Sequence, residues 1–274
     1  YSENADDDLE NGKIYVLRTK EVSDGMDGKE AVESDVVYNE SSFDLQSTYE
    51  VEFVEIENGK DLTKDEMETA SSNVLATQFM RVEDVDYQKG ADSNARNVYF
   101  AVTGRGPGRG TYNDWGTVYK LELDENSPLS GKLTQIVSGN TDTNNMDGNL
   151  GAMQSPDNIC VTENFVYIQE DPNSFSRGHS AYIYQSDLNG HNIQHVLELI
   201  VRQDLDPDNS TGFSGEFGSL IDVSDKIGEP GTFLLAVQPH YWESSDFMNL
   251  DGHTNADRED DQASQIVLLR GLPR

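Results

Sequence analysis

The run "VYFAVTG", residues 98–104, decides the fold because similar runs follow it twice along the chain. "VYIQEDP" begins at Val166 and "FLLAVQP" begins at Phe233, which gives spacings of 68 and 67 residues. Each run is short, rich in β-branched and aromatic residues, and ends in polar residues, which is typical of a β-strand. Recurrence at a nearly constant spacing indicates copies of one structural unit.

The neighbours of these runs recur as well. Each run is preceded by a short segment: "FMRVEDVDY" (79–87), "SPDNICVT" (155–162) and "FGSLIDVSD" (217–225). Each is followed by another: "GTVYKLEL" (116–123), "SAYIYQSD" (180–187) and "SQIVLLRG" (264–271). Two copies continue into a further segment, "GKLTQIVSG" (131–139) and "HNIQHVLEL" (191–199). The pattern predicts four-stranded antiparallel blades of a β-propeller, with inner strands at 80–86, 156–161 and 217–223.

The chain is therefore predicted to be all-β and to form one partial β-propeller domain over residues 1–274. Blades start near residues 1, 75, 152 and 213. "GKIYVLRT" from Gly12 matches "GTVYKLEL", the third strand of its blade, so the two preceding strands are expected before residue 1. About three and a half blades are then present, and an N-terminal half of the same propeller is the expected partner. An open β-sandwich with inserted loops is the alternative, and the regular spacing disfavours it.

Composition restricts the classes of partner. The chain has 51 acidic and 19 basic residues, a formal net charge of −32. Such a charge repels nucleic acid and anionic membranes and attracts cations, although solubility in a salty medium is the favoured explanation. No apolar run reaches the roughly 18 residues of a membrane-spanning helix. The single cysteine, Cys160, excludes an intrachain disulfide and is expected to be a small buried apolar residue.

Charged residues occur at matching points of the repeats. A buried charge is costly unless it is paired or binds an ion, so Arg81 and Glu83 within "LATQFMRVEDV" need partners. Asp157 and Glu216 stand at or before the inner strands of their blades, and Glu170 stands at the end of the second strand of its blade. Together they predict a channel site in which carboxylates bind a hard cation and the arginine binds an anion. Taken singly, each acid is better explained as a solvent-exposed surface residue, and it is their recurrence at matching positions that supports a site.

Two further features are weaker. "DLDPDNSTGFSGE" spaces Asp204, Asp206, Asp208 and Ser210 like a calcium loop, but the glycine and the closing glutamate are out of position. A plain acidic turn is therefore favoured over a calcium loop. His240 follows the third repeat and is a candidate at the channel end.

The ordered motifs "ATQFMRVEDV", "VYFAVTG", "SPDNICV", "VYIQED", "GEFGSLIDVSD" and "FLLAVQPH" resemble the C-terminal half of the PhoX-type alkaline phosphatase family. The resemblance covers roughly residues 75–240. It implies a six-bladed propeller whose central channel holds a calcium- and iron-dependent phosphomonoesterase site. Arg81 would bind the substrate phosphate. The implied cofactors are Ca²⁺ and Fe³⁺, and the implied metal ligands are Glu83, Glu170, Asp157 and Glu216.

The sequence departs from the family pattern at several points. Met80 stands where an aspartate is usual, Val82 replaces a proline, and "QPH" inverts the usual "QHP", which puts the role of His240 in doubt. Cys160 does not match the iron-ligating cysteine of the family, which lies in the N-terminal half.

Two functions follow. The first is a secreted or cell-surface phosphomonoesterase, extracellular or periplasmic, that acts on a phosphate ester. The second is a non-catalytic propeller module that serves binding or structure in an extracellular assembly. A sugar-lactone or glycan-processing propeller is disfavoured because the five histidines are scattered.

Overall fold

The computed structural model describes residues 12–106, 111–139, 148–172, 177–200, 215–238 and 264–274. Within these ranges the chain is all-β, with fifteen strands and two short α-helices, α1 (Lys64–Asn73) and α2 (Ser224–Ile227). Neither helix has the length and the apolar character that a bilayer crossing requires.

The strands form sheets in which neighbours along the chain are usually neighbours in space. The strands are β1 (Ile14–Thr19), β2 (Glu21–Ser23), β3 (Lys29–Ala31), β4 (Thr48–Ile56), β5 (Val82–Tyr87), β6 (Asn97–Val102), β7 (Thr117–Leu123), β8 (Ser130–Ser138), β9 (Pro156–Val161), β10 (Phe165–Glu170), β11 (Tyr182–Asp187), β12 (Gln194–Glu198), β13 (Glu216–Asp222), β14 (Thr232–Gln238) and β15 (Gln265–Arg270). The first sheet has the order β1-β4-β8-β7-β6-β5, the second β12-β11-β10-β9, and the third β13-β14-β15. β2 and β3 form a separate hairpin.

The predicted strand order within each repeat is confirmed. In all three large sheets the segment before the "VYF"-type run is an edge strand, and the chain then meanders outward in antiparallel steps. These edge strands, β5, β9 and β13, match the expected inner strands to within two residues. β9 contacts both β5 and β13, so the three lie side by side.

The sheets pack face to face through apolar side chains that alternate along the strands. Tyr99 and Val118 of the first sheet pack against Val161 and Ile168 of the second. The opposite face of the second sheet, including Tyr167 and Ile183, packs against Phe233 and Leu235 of the third. Cys160 lies in this second interface at 4% exposure, as expected for a small buried apolar residue.

The expectation for "GKIYVLRT" is wrong in one respect. β1 is not in a separate blade, because it pairs with β4 and β4 pairs with β8. The physical reason is the length of β4: its first half pairs with β8 over Thr48–Glu52, and its second half pairs with β1 over Val51–Ile56. The first sheet therefore curls, and Leu17 and Phe53 cover part of its face.

Candidate functional site

Four of the predicted site residues lie at the beginnings of three adjacent strands. Arg81 directly precedes β5, Glu83 and Asp157 are the second residues of β5 and β9, and Glu216 is the first residue of β13. The register of β5 shifts between Val82 and Asp84, so Glu83 is the bulged residue. The register of β9 shifts in the same way around Asp157. A bulge turns a side chain away from the regular alternation, so Glu83 and Asp157 occupy equivalent, redirected positions.

The backbone of Arg81 has an uncommon conformation. Its φ is +67°, in the left-handed region that residues other than glycine seldom adopt. Backbone hydrogen bonds on the adjacent segment hold it there: Thr103 N–H donates to the Arg81 carbonyl at 2.9 Å, and Gly104 N–H donates to the Met80 carbonyl at 3.1 Å. The start of β5 is thus tied to the end of β6.

The Arg81 guanidinium is paired with Glu83. Nη2 lies 2.9 Å from Glu83 Oε1, and Nε donates to the same oxygen at 3.1 Å. About a third of each side chain is exposed, 36% for Arg81 and 33% for Glu83. The pair therefore satisfies the charges within this apolar stretch and leaves the arginine accessible to a solute.

Asp157 lies among charges of its own sign. The pKa of Asp157 is raised to about 6, chiefly by burial and also by the carboxylates of Glu83 and Glu216, while Arg81 and a Thr103 hydrogen bond act to lower it. Its Oδ2 accepts a hydrogen bond from Asn158 Nδ2 at 2.9 Å. A carboxyl with this pKa holds a proton for part of the time near neutral pH and can exchange it with a bound solute.

Glu170, predicted as a further channel carboxylate, has a different environment from Asp157. Its side chain is fully buried. Oε1 accepts a hydrogen bond from Gln154 N–H at 2.8 Å, and Oε2 accepts one from Tyr182 N–H at 2.9 Å. Burial raises its pKa well above the usual range. Glu170 therefore connects the segment before β9 to the start of β11, a structural role.

Glu40 plays a comparable part beside Arg81, and the sequence analysis missed it. It is fully buried, its Oε1 accepts from Met80 N–H at 2.6 Å, and its Oε2 accepts from Asn113 N–H at 2.9 Å. Burial raises its pKa to about 7. No sequence motif marks Glu40, because its partners are far from it along the chain.

The predicted metal site has no matching cluster of ligand side chains in the described ranges. There, no three His, Cys, Asp or Glu side chains are grouped closely enough to hold a metal ion. Asp204, Asp206, Asp208, Ser210 and His240 lie outside the described residues.

Comparison of the chain with family models, with curated proteins and with solved structures found no match.

Proposed function

We propose that the three sheets are consecutive blades of a β-propeller and that the chain is a secreted or cell-surface phosphomonoesterase of the PhoX type. The observation that carries the proposal is the convergence of Arg81, Glu83, Asp157 and Glu216 at the beginnings of three adjacent strands. Side-by-side inner strands and a meandering order within each sheet support the propeller.

Arg81 is the residue that binds the phosphate group. A guanidinium donates two parallel hydrogen bonds to phosphate oxygens, and these charge-assisted bonds are stronger than neutral ones. Its pairing with Glu83 orients the guanidinium before the substrate arrives. Its backbone is held by β6, so the charge is presented at a defined position.

Asp157 is the residue that exchanges a proton with the ester. Loss of the alcohol from a phosphate monoester leaves an alkoxide oxygen that must be protonated. A carboxylic acid with a pKa of about 6 donates a proton at neutral pH more readily than a lysine or a tyrosine.

The resemblance implies Ca²⁺ and Fe³⁺, which would neutralise the charge of the phosphate group. Glu83 and Glu216 are oxygen donors suited to such ions, and Asp157 would be a third donor only in its deprotonated form. The described residues do not form a three-ligand group, so the roles of Arg81 and Asp157 are derived without a metal.

A second candidate is the non-catalytic binding module. It is favoured by the completed Arg81–Glu83 pair and by the lack of a three-ligand group among the described residues. In that function the same cluster would bind a cation or an anionic group without turnover.

The test is hydrolysis of p-nitrophenyl phosphate by the purified chain, with Ca²⁺ and Fe³⁺ added or with a chelator. The proposal expects turnover, and it expects Arg81→Ala to lower kcat/KM by about 10- to 100-fold through lost charge-assisted bonds. Arg96→Ala is the matched control, because Arg96 pairs with Glu125 on the surface at 3.5 Å. Absence of turnover, together with binding of inorganic phosphate that requires Arg81, would support the binding module instead.

A further inference from the structure

The bulge that carries Glu83 and Asp157 recurs in the third sheet. In each of the strands β5, β9 and β13, three steps along the strand correspond to two steps along its partner. Alignment of these registers places Gly218 at the position that Glu83 has in β5 and Asp157 has in β9. This position therefore carries a carboxylate in the first two sheets and no side chain in the third.

The backbone does not require a glycine at position 218. Its φ lies outside the left-handed region, and a Cβ added there would lie no closer than 3.4 Å to any residue other than its chain neighbours. The nearest atom would be Cβ of Ala236, at an ordinary van der Waals distance. Because another residue would fit, the missing side chain matters for the shape of the site and not for the path of the chain.

The side chain of Gln238 extends into the space beside Gly218. Its Nε2 lies 3.8 Å from the point that a Cβ on residue 218 would occupy. Gln238 also pairs directly across the strands with Glu216, whose charge acts on Asp157. The Gln238 residue is exposed, so its amide is accessible to a solute.

The equivalent residue of the first sheet borders the same site. Gln238 corresponds in register to Thr103, because Val237 and Val102 have the same place relative to the bulge. Thr103 Oγ1 lies 3.5 Å from Asp157 Oδ1. A polar side chain at this register position can therefore take part in the site.

We propose that Gln238 is a further substrate-binding residue, whose side-chain amide donates a hydrogen bond to an oxygen of the phosphate group. The inference rests on the proposed phosphate site and adds a residue of the third sheet to it. β9 contacts both β5 and β13, so Arg81 and Gln238 approach from the sheets on either side of β9. The phosphate group is then held from two sides, and Asp157 stands between them beside the ester oxygen.

A neutral amide suits this position better than a third carboxylate. Nε2 has two N–H donors and no charge, so it donates to an anion without adding to the repulsion from a chain of net charge −32. A carboxylate only accepts hydrogen bonds, and one more beside Glu83 and Asp157 would repel the phosphate group. The glycine at the third bulge and the amide beside it thus favour an anionic ligand.

Isothermal titration calorimetry with inorganic phosphate tests the inference without turnover. Gln238→Leu removes both donors at nearly the same size, so it should weaken phosphate binding by about 10- to 100-fold. Gln238→Glu keeps the size and replaces the donors with a negative charge, so it should weaken binding further. Gln194→Leu is the matched control, because Gln194 is exposed on β12, the outer strand of the second sheet.

Hydrolysis of p-nitrophenyl phosphate gives a second measurement. The phosphate oxygens are charged in the ground state and in the transition state, so Gln238→Leu should raise KM more than it lowers kcat. A purely structural contribution of Gln238 would reverse the order of the two variants, because glutamate is the closer replacement at an exposed polar position. Thermal unfolding of each variant confirms that it is folded.

The outcomes separate this inference from the proposed function. Phosphate binding that needs Arg81 but is unchanged in Gln238→Leu and Gln238→Glu would overturn the inference and leave the proposed function standing. Binding that needs both residues, without turnover of the ester, would support the inference and remove the phosphatase activity. If the unaltered chain binds no phosphate, both the inference and the phosphate site are wrong.

Discussion

Glu40 and Arg81 show how single residues set the site at the beginning of β5. The Glu40 carboxylate joins Met80 to Asn113, so it anchors the residue directly before Arg81. Burial raises the Glu40 pKa to about 7, and Tyr112 and Tyr119 lie near the carboxylate. The backbone donors favour the charged form, but burial outweighs them.

The first prediction concerns the pH dependence of stability. The pKa of Glu40 is raised from 4.5 to about 7 in the folded state. The stabilisation that this shift gives to the folded state is therefore complete below about pH 4.5 and is lost as pH rises to about 7. The loss is about 3 kcal/mol. Glu40→Gln cannot titrate, so its unfolding free energy should fall less over this range in urea denaturation. Glu57→Gln, an exposed acid, is the control, and parallel curves for Glu40→Gln and the unaltered chain would contradict the prediction.

The second prediction uses the left-handed backbone of Arg81. Arg81→Gly and Arg81→Ala both remove the guanidinium, but only glycine adopts a φ of +67° without steric cost. Arg81→Gly should therefore be more stable than Arg81→Ala by about 1 kcal/mol in thermal or urea unfolding. Equal stabilities would mean that the backbone at this position relaxes in the variants.

At the scale of the elements, aspartates connect the sheets where strands cannot pair. Asp84 Oδ2 accepts a hydrogen bond from Ile159 N–H at 3.0 Å, and Asp86 Oδ2 accepts one from Val161 N–H at 2.8 Å. These donors belong to the edge of β9, and Val161 is fully buried. Two aspartates of β5 thus satisfy backbone groups that would otherwise be costly to bury.

The third prediction follows from this connection. Asp86→Ala leaves Val161 N–H without an acceptor inside the sheet interface, so it should lower the unfolding free energy by about 1 to 3 kcal/mol. Asp86→Asn keeps an oxygen acceptor, so its unfolding free energy should fall less than that of Asp86→Ala. Asp65→Ala, in the exposed first turn of α1, is a control for removal of an acidic charge. If Asp65→Ala lowered the unfolding free energy as much as Asp86→Ala, the effect would come from removal of the acidic charge and not from the lost hydrogen bond.

At the scale of the whole molecule, the excess of acidic residues controls the response to ions. A net charge of −32 destabilises the compact state through repulsion between like charges. Any cation relieves this repulsion by screening. A bound cation also adds stability by mass action, because it binds the native state.

The fourth prediction separates these two effects. Under the proposed function, millimolar CaCl₂ should raise Tm above its value in NaCl of the same ionic strength, and a chelator should remove the difference. Differential scanning fluorimetry measures this difference in Tm. Equal Tm values in both salts would contradict the predicted binding of Ca²⁺ and would leave the prediction of the fold untouched.

The strands could be predicted because their information is local. Alternation and β-branched composition in "VYFAVTG" and its two counterparts depend on a few consecutive residues, and their spacing predicted the strand order. The burial of Glu170 could not be predicted, because its surroundings are built from segments distant in sequence. Whether a carboxylate faces a channel or accepts from Gln154 and Tyr182 depends on how the loops return over it.

The sequence by itself determined the all-β class, the repeated strand order and the position of charged residues near the beginnings of β5, β9 and β13. The tertiary structure decided that Glu83 and Asp157 lie on equivalent bulges, that Glu40 anchors Met80, and that β1 and β4 extend the first sheet. The physical reason is that strand formation follows from side chains a few residues apart. Bulges, buried carboxylates and sheet edges depend on backbone groups that meet after the chain has folded.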